Sequence, residues 1–232
     1  MPESLHGSTV SYGKDGKLSG YLSQPASASN KTPAVIIIHE WWGLSPHIKD
    51  VADRYTKQGF VALAPDLFGG KVTTNPDVAM QLSSGTTTQS SAMIMGEALE
   101  YLKKSGFVAS DKIGITGFCF GGTHAFNFAC VAGGKIAAAA PYYATRLPSE
   151  EMLAKITAPL LIIYGEEDHS VKPDQARKLE ATLKQMGKNV QLLLYPGCPH
   201  AFFNDQNPRS YRPEAAKDAW QKTIAFFKAN LS

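Results

Sequence analysis

The sequence predicts an α/β fold: a mostly parallel, doubly wound sheet with helices on both faces and an N-terminal hairpin. Three observations carry that expectation. Short, nearly continuous apolar runs rich in β-branched residues recur along the chain, as strands covered on both faces require. Longer amphipathic stretches alternate with them, the order of βαβ units with right-handed crossovers. Residues 8–23 instead alternate polar and apolar around Lys14-Asp15-Gly16, which reads as an antiparallel hairpin on the sheet edge.

Taken in order, the strand runs fall at 35–39, 61–65, 113–117, 137–142, 160–164 and 191–195. The helix candidates are 47–58, 92–105, 121–132, 174–186 and 213–229, and Gly59 and Gly187 follow two of them as C-caps. Residues 69–88 are rich in Gly, Thr and Ser with little periodicity, and read as a loop or small cap over the carboxyl ends of the strands. There are no internal repeats. At 232 residues and 44% hydrophobic content, one domain spanning 1–232 is expected, with ample apolar surface for a core.

Composition excludes several classes of function. Lys and Arg number 23 against 20 Asp and Glu, a net charge of +3 without a basic cluster, so nucleic acid is not an expected partner. No run approaches the ~18 apolar residues of a membrane span. The first thirty residues lack the apolar core of a secretory signal, so none is expected, and with the cysteine usage a reducing, cytoplasmic setting is the default. Cys119, Cys130 and Cys198 are odd in number and widely spaced, so neither a disulfide framework nor a zinc site is expected. His39, His47, His124 and His169 share no ligand spacing, so no metal is expected. No interface stripe stands out, and a monomer is the default.

Ligands in such sheets sit outside the carboxyl ends of the strands, so the chemistry is sought there. Directly after the run at 113–117 comes Gly117-Phe118-Cys119-Phe120-Gly121-Gly122, the spacing of a nucleophile elbow with sulfur in place of oxygen. The following helix would present its positive end to a thiolate. Alone, the motif leaves a buried structural cysteine and a nucleophile about evenly matched. An acidic loop, Gly165-Glu166-Glu167-Asp168, then follows the run at 160–164, and His200 follows the run at 191–195. The chain order Cys119, Asp168, His200 is that of a nucleophile–acid–histidine triad, each member after a predicted strand, and it favours the catalytic reading.

These motifs, with His39-Glu40-Trp41-Trp42-Gly43, Ala64-Pro65-Asp66-Leu67-Phe68, His200-Ala201-Phe202-Phe203 and Tyr211-Arg212-Pro213, make the chain similar to the dienelactone hydrolase family of α/β-hydrolases over nearly its whole length. The resemblance implies an α/β-hydrolase fold and a cofactor-free hydrolase of a small-molecule ester or lactone. It implies Cys119 as nucleophile, His200 as base, Asp168 as the group orienting His200, and Glu40 as the carboxylate that holds the resting thiol. Backbone N–H groups of Trp41 and Phe120 would form the oxyanion hole. Trp42 and Tyr143 read either as substrate contacts or as packed core, and Arg146 as a substrate contact.

Sulfur also limits the substrate. A thiolate leaves readily, so the tetrahedral intermediate goes forward only when the departing oxygen is comparably good, as in enol lactones and aryl esters. Family members that act on dienelactone are expected to hold its carboxylate with two arginines. Here residues 69–85 contain Lys71 and no arginine, and the position four past His200 is Asn204. That departure shifts the expectation toward a broader ester or lactone hydrolase, with Arg146 or Lys71 as the remaining cations. A general carboxylesterase and a non-catalytic thiol-sensing protein using Cys119 and Cys198 are the alternatives.

Overall fold

Among the described residues eight strands form one sheet: β1 (Ser8–Tyr12), β2 (Leu18–Ser23), β3 (Ala34–Ile38), β4 (Val61–Pro65), β5 (Ile113–Phe118), β6 (Ala138–Tyr142), β7 (Leu160–Gly165) and β8 (Val190–Tyr195). Their spatial order is β1-β2-β4-β3-β5-β6-β7-β8. The structure, a computed structural model, describes residues 7–231. Residues 1–6, where the stretch read for a secretory signal begins, and residue 232 lie outside the described residues.

β1 and β2 pair antiparallel, and β2 runs antiparallel to β4, while the pairs from β4 through β8 are parallel. The expected hairpin therefore occupies the sheet edge. The β3, β4, β5, β6 and β7 strands are buried at every position, which is why their sequences are apolar without alternation. β8 forms the other edge and exposes Gln191, as a strand with one open side should.

Among the described residues seven helices cover the sheet: α1 (Pro46–Lys57), α2 (Pro76–Gly85), α3 (Thr88–Lys104), α4 (Phe120–Val131), α5 (Glu150–Lys155), α6 (Pro173–Gln185) and α7 (Pro213–Asn230). Prolines open α1, α2, α6 and α7, where the fixed φ suits the first turn and the missing N–H costs nothing. Gly59 and Gly187 follow α1 and α6 at φ 94° and 70°, the left-handed caps expected of them. α1 and α7 meet on one face, Tyr55 against Trp220 with ring centroids 4.7 Å apart. α3 and α4 pack together on the other.

Three helices depart from the expectation. The segment 69–88 is not all loop: α2 occupies Pro76–Gly85, capped by Asn75 Oδ1, which accepts from the Asp77 N–H at 2.8 Å. Only Ala79 of α2 is buried, so the helix carries almost no apolar stripe. α3 also begins earlier than predicted, at a capping box between Thr87 and Ser90. The short α5 was not predicted either. Ser149 caps it and Glu150 and Glu151 lie in its first turn.

The strand order reverses at β3, which has β4 on one side and β5 on the other. A crevice opens outside the carboxyl ends of strands at such a switch point. Glu40 and Trp41 follow β3 there, and Cys119 follows β5.

Candidate active site

Cys119 sits between β5 and α4 at φ 58°, ψ −118°, a conformation that a side-chain-bearing residue adopts only when its surroundings enforce it. Its N–H donates to the Tyr142 carbonyl at 3.1 Å, and its carbonyl accepts from the Thr123 N–H at 3.1 Å. The flanking glycines make the bend. A Cβ on Gly117 would lie 2.3 Å from the Gly121 carbonyl oxygen. One on Gly121 would lie 2.3 Å from the Ile38 oxygen and 2.4 Å from the His39 oxygen. Both obstacles are backbone, so nothing there can rotate away. Gly121→Ala is expected to destabilise the fold by about 3 kcal/mol or more, read as a lower urea midpoint. An unchanged midpoint would show that α4 can slide off β3.

His200 lies after β8 and Asp168 after β7. Asp168 is buried; its Oδ2 accepts from His200 Nδ1 at 2.7 Å, and its Oδ1 accepts from the Ser170 N–H at 2.8 Å. Burial alone would lower the His200 pKa, but hydrogen bonds to Asp168 and to the Cys119 thiol outweigh it and push it up to about 10. The three residues from three different loops thus form one interacting group, with Asp168 hydrogen-bonded to His200 and Cys119 acting on the same ring. A thiol beside so basic an imidazole can lose its proton to it and act as a nucleophile.

Glu40 is 2% exposed. Its Oε2 accepts from Asn204 Nδ2 at 2.7 Å, and Asn204 Oδ1 in turn accepts from the Gln206 N–H at 3.0 Å. Burial pushes the Glu40 carboxyl up to about 7, against the opposing pull of the Asn204 hydrogen bond and the His200 charge. Asn204 is a contact that sequence reading did not supply, because 164 residues separate the two.

His39 fixes this loop from behind. Its Nε2 accepts from the Leu67 N–H at 3.0 Å, so its proton is on Nδ1, which donates to the Glu40 carbonyl at 2.6 Å. Burial keeps the ring neutral by lowering its pKa. The buried histidine is a strut between the loops after β3 and β4, a role no spacing in the sequence announced.

Trp41, Cys119, Phe120 and Arg146 line one cleft of about 150 Å³. Phe120 opens α4, and a first-turn N–H has no intrahelical carbonyl to bond. A larger cavity of about 570 Å³ shares Ser83, Ser84 and Arg146 with that cleft. A third, of about 500 Å³, lies on the Glu40 side and is lined by Trp42, Val72, Asn204 and Gln206 among others. Trp42 therefore borders the Glu40 side, with its ring 4.7 Å from that of Trp41. Tyr143 is fully buried at φ 34°, its ring 5.1 Å from that of His200, and its hydroxyl has no partner among the described residues. Cys198 and Cys130 are buried, and the three cysteines are free thiols. Among the described residues no group of three His, Cys, Asp or Glu could hold a metal ion, and no helix is long and apolar enough to cross a membrane.

Comparison with known proteins gives a consistent picture. A family profile described as the Dienelactone hydrolase family matches residues 18–231. Protein usf of Aquifex pyrophilus is 36% identical over 233 residues, spanning 97% of this chain and 100% of that protein. A protein of Aquifex aeolicus (strain VF5), provisionally named carboxymethylenebutenolidase, is 34% identical, spanning 97% and 99%. The crystal structure of a provisionally named dienelactone hydrolase from Klebsiella pneumoniae superposes with a TM-score of 0.87 at 25% identity, over 96% of this chain and 98% of that one.

Proposed function

Because the chain belongs to the dienelactone hydrolase family, and is a hydrolase of esters or lactones, we propose that it works through an acyl-cysteine on Cys119. The observation that carries this reading is the Asp168–His200 hydrogen bond beside Cys119, which is raised on a strained elbow and contributes to the raised His200 pKa. His200 takes the thiol proton as Sγ adds to the substrate carbonyl. The developing oxyanion lies against the N–H groups of Trp41 and Phe120. The intermediate collapses by breaking the acyl C–O bond; the departing oxygen takes its proton from His200 and leaves as the alcohol of an ester, or stays tethered to the acyl group of an opened lactone. Water then attacks the thioester with His200 as base, Sγ leaves, and the carboxylic acid departs. Asp168 keeps the His200 proton on Nδ1 and the Nε2 side free for this traffic.

Glu40 modulates the nucleophile. Ionised, it repels a thiolate and competes with it for the positive charge of His200; neutral, it does neither. A substrate that displaces or protonates it would release Cys119 for attack. The leaving-group argument selects enol lactones and aryl esters over simple alkyl esters.

Acid-quenched peptide mapping during turnover of p-nitrophenyl acetate tests the mechanism. The expected product is an acetyl thioester on the peptide bearing Cys119, absent from Cys119→Ala together with the steady-state rate. Acetylation elsewhere, or full turnover by Cys119→Ala, would overturn it. Ethyl acetate in the same preparation is expected to react at least about 100-fold more slowly, since its alkoxide competes poorly with a departing thiolate.

A further inference from the structure

The wall that carries Glu40 lacks a fixed counter-charge. Glu40 is buried and lines the cavity of about 500 Å³, which no lysine or arginine among the described residues borders. Lys71, one residue before the lining Val72, is not part of it. Glu40 Oε2 is met by Asn204 Nδ2, a neutral donor at 2.7 Å, and His200 is the positive charge that acts on it. That charge disappears whenever His200 hands its proton to a leaving group. A buried carboxylate without a cation is costly, so this wall calls for a positive group from outside the protein.

The neighbouring groups leave that role open. His47 lines the same cavity, and its Nδ1 lies 3.3 Å from Asp205 Oδ1, an acceptor that keeps the ring proton on Nδ1. Burial holds the ring neutral by lowering its pKa, and the buried Nε2, a lone pair, has no partner among the described residues. Asp205 is paired with Arg54, which also pairs with Asp50, so that guanidinium is committed and does not line the cavity. Trp42 adds an indole, the ring with the strongest attraction for a cation over its face. Across the crevice Arg146 lines the cleft at Cys119, so a positive substituent is repelled there and drawn toward Glu40. Trp41 lines that cleft and Trp42 the cavity, with their rings 4.7 Å apart, so the two spaces meet at consecutive residues.

We propose that the Glu40-side cavity is a cation subsite, so that the ester or lactone turned over carries an organic ammonium group seated against the Glu40 carboxylate and the Trp42 ring. The inference rests on the acyl-cysteine reading above and adds to it the sign of the substrate's charge and the wall that receives it. Paired with an ammonium, the carboxylate neither repels the thiolate of Cys119 nor competes with it for His200. Substrate binding and release of the nucleophile then become one event.

The test uses two matched pairs of aryl esters, each a trimethylammonium compound and its tert-butyl isostere. One pair bears the group on the acyl side, p-nitrophenyl 4-(trimethylammonio)butyrate and p-nitrophenyl 5,5-dimethylhexanoate. The other bears it on the leaving group, 3-(trimethylammonio)phenyl acetate and 3-tert-butylphenyl acetate. Each ratio of kcat/KM, cation over isostere, is divided by the same ratio for hydroxide-catalysed hydrolysis, which removes inductive effects. Wild type is expected to give a corrected ratio of about tenfold or more for at least one pair. Glu40→Gln is expected to bring it close to unity, because glutamine keeps the shape and loses the charge. Asn204→Arg is expected to do the same by supplying the cation from the protein. Taking the ratio within each variant cancels any loss of overall turnover that comes from the part Glu40 plays at the nucleophile. A wild-type ratio near unity for both pairs would overturn the subsite, as would a preference that persists in either variant. Cys119→Ala is assayed alongside: turnover that survives there defeats the acyl-cysteine reading itself, whereas Cys119-dependent turnover without a cation preference removes the subsite alone.

Discussion

Asp168→Asn is expected to lower kcat/KM for an aryl ester by about 10³-fold or more, with the protein still folded. The size of the loss follows from which way the new amide must face. The Ser170 N–H donates to Asp168 Oδ1 at 2.8 Å, so an asparagine keeps its oxygen there and turns its NH₂ toward His200 Nδ1. Two donors cannot face each other. His200 is then forced to present a lone pair at Nδ1 and carry its proton on Nε2, where it can no longer accept one from Cys119. The same substitution removes the first of the contributions that raise the His200 pKa toward 10 against burial, so the imidazolium becomes easier to deprotonate. Two readouts check this: the pH profile of kcat/KM, and the His200 titration followed by NMR. A loss below about tenfold would mean that Asp168 supports the loop and does not set the tautomer.

The elements that the sequence predicted well are those whose environment is uniform. The runs at β3, β4 and β7 are apolar because both faces are covered, and that condition is written locally, residue by residue. α2 was missed for the converse reason. With Ala79 its only buried residue it needs no apolar stripe, so periodicity was silent. What remained was chemistry at its start, an Asn75 cap followed by Pro76, which also reads as a turn. α5 is a six-residue helix, too short for any period to register.

The site divides along the same line. Cys119, Asp168 and His200 were legible because each follows a strand, and topology brings strand ends together whatever lies between. The partners that tune them were not legible. Asn204 reaches Glu40, and His39 ties Glu40 to Leu67, through contacts that depend on loop paths. Sequence reading noticed Asn204 only as a missing arginine. In the structure it has a positive role: it supplies a neutral donor to a buried carboxyl, which satisfies one lone pair without fixing the charge. An arginine there would hold Glu40 ionised; an asparagine leaves it free to titrate near neutrality.

That difference has a thermodynamic consequence, testable with Glu40→Gln. Glu40 titrates at 4.5 when unperturbed and at about 7 in the fold, raised by burial. Between those values the folded state binds a proton that the unfolded state has lost, so stability falls as pH rises from about 4.5 to about 7. The gap corresponds to about 3 kcal/mol that the ionised carboxyl costs above neutrality. Glutamine has the same shape, can accept from Asn204 Nδ2 through its carbonyl, and cannot ionise. Glu40→Gln is therefore expected to match wild type in unfolding free energy at pH 4, where both side chains are neutral in both states. At pH 8 it is expected to exceed wild type by up to about 3 kcal/mol, read from urea midpoints at the two pH values. Equal stability at pH 8 would mean that water or a rearranged loop solvates the ionised carboxylate. A variant that is more stable at pH 8 and slower in turnover would locate at Glu40 a stability that the wild-type site gives up for a carboxylate able to change charge.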